Sequence, residues 1–167
     1  VECQPGYYKE WVDKGFILQQ AAQEVEGVKL LWHRIATFDL ITTDRSRGGG
    51  LKTARYTHLL CFGRRLDPAS DLSEKFDGPA AAVPDVMFRG KVSWSRGAGL
   101  EVCRAVARYV KKLGFRRIID PFCGEGLVLA AAEEAGLEAM GVELSRKRAF
   151  CARTLQTSDL EQASKKK

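Results

Sequence analysis

The chain has 167 residues, 45% of them hydrophobic and 29% charged, which suits one domain with a sizeable core and an ordinary balance for a globular protein. Its formal charge of +6 and isoelectric point near 9.2 favour contact with phosphates, and no apolar run approaches the roughly 20 residues of a membrane span, so no membrane role is expected. The cysteines Cys3, Cys61, Cys103, Cys123 and Cys151 are odd in number, widely spaced and without a C-x-x-C pair; a disulfide framework and a metal site are not expected, and free thiols point to an intracellular setting.

In chain order, Val1 to Cys3 reads as the end of a strand and Gln4-Pro5-Gly6 as a turn. A helix is expected over Tyr8 to Gln23, weakened by Gly15. Val28 to Phe38, rich in β-branched and aromatic residues, reads as a strand, and Tyr56 to Phe62 as a second. Between them, Gly48-Gly49-Gly50 with Arg45, Arg47, Lys52 and Arg55 forms a loop that suits a phosphate backbone as well as plain solvent. Arg64 to Pro84 lacks periodicity and reads as a connector. Leu100, Cys103, Val106, Ala107, Val110 and Leu113 recur at helical spacing, which predicts an amphipathic helix over Gly99 to Leu113, ended by Gly114. Arg116 to Asp120 is a short apolar strand, Pro121 to Gly126 a loop, Leu127 to Ala135 a helix and Leu137 to Glu143 a second strand. Ser145 caps a helix running to about Leu155. A single domain over 1–157 is expected, followed by a disordered basic tail over 158–167.

A strand, a Gly-x-Gly loop, a helix and a second strand ending in an acid make a β-α-β nucleoside-binding unit. Glycines let the backbone approach a ligand, and Glu143 is placed to accept hydrogen bonds from ribose hydroxyls. A dinucleotide site needs a third small residue where Leu129 stands. Asp120 and Glu125 would also repel a pyrophosphate, whereas the sulfonium and ammonium of S-adenosylmethionine (SAM) attract carboxylates.

Asp120-Pro121-Phe122-Cys123-Gly124-Glu125-Gly126 resembles motif I, D-P-F-x-G-x-G, of the SAM-dependent amino-methyltransferases that act on DNA or RNA. Gly141-Val142-Glu143-Leu144-Ser145 is similar to the continuation of that motif, and the likeness runs from the helix before the loop to the helix after Glu143. The resemblance implies a Rossmann-like class I methyltransferase fold: an α/β domain with a mainly parallel sheet and one antiparallel strand. It also implies a SAM site formed by Asp120, Pro121, Phe122, Cys123, Gly124, Gly126, Glu143 and Leu144, with Asp120 near the methionine amino group and Glu143 on the ribose.

Only 24 residues follow Glu143, too few for several more βα units. The domain is either truncated or circularly permuted. The segments Leu30 to Ile35 and Tyr56 to Phe62 look like the antiparallel hairpin that precedes the SAM loop in permuted members, which favours permutation. Ser93-Trp94-Ser95-Arg96-Gly97-Ala98-Gly99 then takes the place of the family's motif ahead of the loop, with Ser93, Ser95 and Arg96 as candidates for the SAM carboxylate. A plain helix cap is the competing reading.

The family's target-binding motif, (Asp/Asn/Ser)-Pro-Pro-aromatic, has only a degenerate counterpart here, Gln4-Pro5-Gly6-Tyr7, in which Gln4, Pro5 and Tyr7 are candidate catalytic residues. The alternative is a structural turn, with the true motif ahead of Val1 or absent. His33 and His58, on the two hairpin strands, are expected to be structural rather than bases, and Trp11, Trp32 and Trp94 to be packing groups. The expected function is methyl transfer from SAM to an exocyclic amine of a nucleobase, in RNA rather than DNA because unstacked bases are easier to present. A catalytically inactive scaffold, and a protein or small-molecule methyltransferase, are the alternatives.

Overall fold

The computed structural model describes residues 4–5, 11–38, 56–64, 83–94 and 97–163. They belong to two units, one comprising Val1–Ala80 with Pro84–Phe88 and the other Ala81–Val83 with Arg89–Lys167.

In the first unit, β1 (Gln4–Pro5) pairs antiparallel with β2 (Trp11–Val12). The helix expected from Tyr8 begins later, as α1 (Lys14–Gln23). The later start has a local cause: Trp11 and Val12 pair with Pro5 and Gln4, and Asp13 takes the cap position, its carboxylate accepting from the Phe16 amide at 2.9 Å. The two long strands fall where β-branched residues place them, β3 at Val28–Thr37 and β4 at Tyr56–Arg64, in an antiparallel pair. A bulge between Leu30 and Trp32 shifts their register. A short strand that the sequence does not announce, β5 (Val86–Phe88), pairs parallel with β3, giving a mixed sheet in the order β4-β3-β5. Trp32 and Ala36 are the buried side chains of β3.

In the second unit the order of helix, strand, loop, helix and strand is the one expected, but the strand expected to reach Glu143 ends at Gly141. Helix α2 (Leu100–Lys112) buries Leu100, Cys103 and Ala107 along one stripe, then Gly114 turns the chain at φ +85°. Strand β6 (Arg117–Asp120) leads through the glycine loop into α3 (Leu127–Glu134), and β7 (Glu138–Gly141) returns parallel to β6, with Arg117 opposite Glu138 and Asp120 opposite Gly141. Leu100, Cys103, Leu127 and Ala131 form one core cluster, and Ala107, Ala132 and Leu137 a second against Ile118 and Ala139 of the strands. Ser145 caps α4 (Arg146–Ala152), which stops three residues short of Leu155.

Where a disordered tail was expected from residue 158, the chain instead forms α5 (Thr157–Ala163). Asp159 caps its start by accepting from the Gln156 amide at 2.9 Å, and Leu160 packs on the first core cluster. Arg104 fastens it further, reaching Glu161 at 2.8 Å and Glu134 of α3 at 2.9 Å. Residues 164–167, with the terminal lysines, lie outside the described residues.

Candidate functional site

Two parallel strands end side by side, and each delivers a carboxylate to that end of the second unit. Asp120 closes β6, and Glu143 lies two residues beyond β7. The segment after β6 is sewn to the residue that follows β7: the Cys123 amide donates to the Val142 carbonyl at 3.0 Å, and the Val142 amide to the Asp120 carbonyl at 2.9 Å. Each carboxylate is oriented by a backbone amide two residues on, Asp120 Oδ1 by Phe122 at 2.9 Å and Glu143 Oε1 by Ser145 at 2.7 Å. Such short turns fix the side chains while leaving a second oxygen on each for a ligand.

The two loop glycines do different jobs. Gly124, at φ +56°, has nothing within 4 Å of where a Cβ would stand, so its backbone faces open space that a ligand can approach. Gly126, at φ +87°, has the Ala152 backbone in that place, 2.6 Å from an added Cβ. It lets α4 close on the loop. Pro121 and Phe122 are exposed, Phe122 at 88%, and Leu144 beside Glu143 is 98% exposed. A cavity of about 570 Å³ includes Cys123 and Glu143 in its wall, together with Leu129, Met140, Val142 and Arg153. Asp120, Gly124 and Gly126 lie outside that wall. Leu129, Met140 and Arg153 were not foreseen; they reach the cavity through the packing of α3 and α4 beside β7.

Burial, reinforced by the negative charges of Asp120 and Glu143, pushes the Cys123 thiol above its ordinary value of 9.0. Both carboxylates therefore disfavour a thiolate at that sulfur. Deeper in, burial and then Asp120 push Cys103 up to about 12.

The segment ahead of α2 was expected to offer Ser93, Ser95, Arg96 and the helix start to a carboxylate. The first two amides of the helix, Leu100 and Glu101, already donate to the carbonyls of Lys91 at 2.7 Å and Arg89 at 3.0 Å, and no side chain caps Gly99. They are not open to a carboxylate. Ser93 is half-buried, and Ser95 and Arg96 lie outside the described residues. Gln4 and Pro5 belong to β1, while Tyr7 lies outside the described residues, as do Arg45, Arg47, Lys52 and Arg55 with the Gly48–Gly50 loop. His33 and His58 meet each other, 2.7 Å between Nε2 and Nδ1. No helix among the described residues is long and apolar enough to cross a membrane.

No protein-family model matches the chain, and comparison with curated proteins finds no match. Solved structures do match. A Thermus thermophilus protein named for DNA modification methylase aligns with 96% of this chain and 68% of its own, at a TM-score of 0.63 and 19% identity. The same protein complexed with SAM gives 0.57 and 20% identity over 91% of this chain and 63% of its own. M1.HpyAVI, also complexed with SAM, gives 0.55 and 12% identity over 85% of this chain and 69% of its own. The chain thus spans about two thirds of the length of these proteins. At such identities the likeness is one of fold: an α/β architecture with a mixed sheet, similar to SAM-dependent methyltransferase structures.

Proposed function

We propose that the protein is a SAM-dependent methyltransferase acting on an exocyclic amine of a nucleobase. The observation that carries this reading is the pair of oriented carboxylates, Asp120 and Glu143, at the ends of adjacent parallel strands around the open face of Gly124. Two acids there disfavour a pyrophosphate and favour a ligand with cationic groups and a ribose. In this reading Asp120 faces the methionine ammonium, Glu143 holds the ribose, and Gly124 lets the backbone approach. SAM, when bound, supplies the electrophilic methyl group. The protein's part is position and electrostatics: an amine attacks the methyl group directly, and no covalent enzyme intermediate is needed. The two SAM complexes among the structural matches support the cofactor. Permutation, with the hairpin of β3 and β4 ahead of the SAM loop, belongs to the same reading, as does the intracellular setting.

The DNA names of the matched structures lend the RNA expectation no support and favour a DNA strand; the basic charge and the need for an unstacked base suit either polymer. The inactive-scaffold reading keeps one observation in its favour, the degenerate Gln4-Pro5-Gly6-Tyr7 in place of the family's target motif.

Calorimetry with S-adenosylhomocysteine tests the cofactor site. Glu143→Ala is expected to weaken binding by about 1–3 kcal/mol, the range for a lost hydrogen bond to a charged acceptor. Unchanged affinity would remove Glu143 from the site. Transfer of radiolabelled methyl groups to single-stranded DNA and RNA separates the polymers, and binding without transfer to either selects the scaffold.

A further inference from the structure

Between Ser145 and Leu155 the chain carries four cations, Arg146, Lys147, Arg148 and Arg153, and no acidic residue. Three of them occupy the first turn of α4, where the peptide dipoles disfavour positive charge and no acid compensates. Arg148 lies over the Trp94 ring at 4.4 Å. Arg146, Lys147 and Arg153 make no ion pair among the described residues, in contrast to Arg34, Arg104 and Arg117, which each hold a carboxylate. The spacing is also specific. Arg146, Phe150 and Arg153 stand at i, i+4 and i+7, one face of a helix, and Arg153 keeps helical dihedrals at the C-cap (φ −77°, ψ −20°). All three are exposed, Phe150 at 69%. An aromatic ring held in water between two unpaired guanidiniums, about 10 Å apart along the axis, contributes nothing to the core.

We propose that this face of α4 binds a single-stranded polynucleotide, with Arg146 and Arg153 on phosphates, Lys147 on a phosphate at the edge of the face, and Phe150 stacked on a base. Every base has a π-face, so such a platform is tolerant of sequence, and phosphates supply the counter-charge that the stripe lacks. An anionic membrane is the weaker fit, because one exposed ring on a seven-residue helix offers little apolar area to insert. The inference deepens the methyltransferase reading by naming where its polynucleotide lies.

Fluorescence anisotropy with fluorescein-labelled 12-mers of deoxythymidine and of uridine tests it, at two salt concentrations. Phe150→Ala is expected to weaken binding about tenfold, from the stacking of one base. Arg146→Gln with Lys147→Gln should flatten the log–log salt slope by about 1.4, two phosphates' worth on a single strand. Equal losses on both 12-mers fit a platform that reads the ring and the phosphate; loss on one alone assigns the stripe to that polymer. Thermal denaturation of the variants should not fall, since the side chains are exposed and the two cations removed from the first turn oppose the helix dipole. Oligonucleotide binding that is absent, or indifferent to both variants, overturns the proposal; so does binding to phosphatidylserine vesicles that these variants abolish while the 12-mers are unaffected. S-adenosylhomocysteine calorimetry on the same preparations keeps the two readings apart. Failure there counts against the cofactor site, and failure of the 12-mers against the stripe.

Discussion

The polar groups of the hairpin unit and those around the glycine loop are arranged in opposite ways, although the second unit also holds closed ion pairs at Arg104 and Arg117. In the hairpin unit they satisfy one another: His33 meets His58 at 2.7 Å, the Tyr56 ring stands edge-on to His58 at 5.4 Å, and Arg34 reaches Asp85 at 3.1 Å. In the loop unit, the carboxylates of Asp120 and Glu143 are oriented by backbone amides, Gly124 fronts open space, and the cations of α4 hold no carboxylate among the described residues. Groups that are oriented and still have bonding capacity to spare mark a place for a ligand; groups that close on each other mark a scaffold. The contrast puts the candidate chemistry in the loop unit.

The sharpest way to break that contrast is through the two glycines of the loop. Gly126→Ala drives a Cβ into the Ala152 backbone at 2.6 Å and keeps φ at +87°. Overpacking and left-handed strain together should destabilise the protein by roughly 3 kcal/mol. Gly124→Ala meets no atom within 4 Å, so only the strain at φ +56° remains, about 1 kcal/mol. Its effect should fall on the ligand instead, with S-adenosylhomocysteine binding lost in calorimetry. Urea denaturation of both variants checks the ordering. Equal stability losses would mean that Gly124 is as much a packing glycine as Gly126.

Much of the loop unit was legible because its signals are local. Asp120, Gly124 and Gly126 sit within seven consecutive residues, Glu143 follows at the fixed spacing, and the apolar stripe of α2 announces its own face. What escaped depends on contacts distant in sequence. Trp11 and Val12 continue a helical pattern and become a strand only because Gln4 and Pro5 lie beside them. Strand β5 has three residues, too few for any period to show. Helix α5 looks like the start of a lysine-rich tail until Arg104, more than 50 residues earlier in the chain, fastens Glu161.

That fastening gives a smaller, testable effect. Arg104 binds Glu134 through two nitrogens at 2.9 Å each and also reaches Glu101 at 3.3 Å, so its loss leaves three carboxylates facing one another. Arg104→Met should cost about 2 kcal/mol, and amide exchange over 157–163 should speed up more than exchange in α2. The hydrogen bonds from Arg104 hold Glu134 below its ordinary value of 4.5. A depressed carboxyl contributes stability that is complete above the unfolded value and is lost as pH falls through the folded one. The acid limb of the stability profile should therefore flatten in Arg104→Met. Unchanged exchange over 157–163 would show that Leu160 and the Lys91 bond to the Glu161 carbonyl hold α5 in place without Arg104.

The smallest effect tests the scaffold side of the comparison, at the histidines. Their meeting depends on the bulge between Leu30 and Trp32. Beyond it, His33 lies opposite Leu60 and Ile35 opposite His58, which puts both rings on one face; the register before the bulge, continued, would put them on opposite faces. With Nε2 and Nδ1 at 2.7 Å, one ring donates and the other accepts, and protonating both would turn N–H against N–H. Burial and then His33 lower the His58 value from 6.5, against an opposing pull from Asp13. A base whose value is lowered by folding takes up its proton more readily when unfolded. The fold should therefore lose stability as pH falls through about 6.5, with the loss levelling off below the folded value. His58→Gln removes that titration, and the slope of urea stability between pH 8 and pH 5.5 should become shallower, while S-adenosylhomocysteine affinity stays as it was. A variant that keeps the wild-type slope would show that the pair carries no proton linkage. A variant that loses ligand affinity would put the histidines on the functional side and dissolve the contrast between the units.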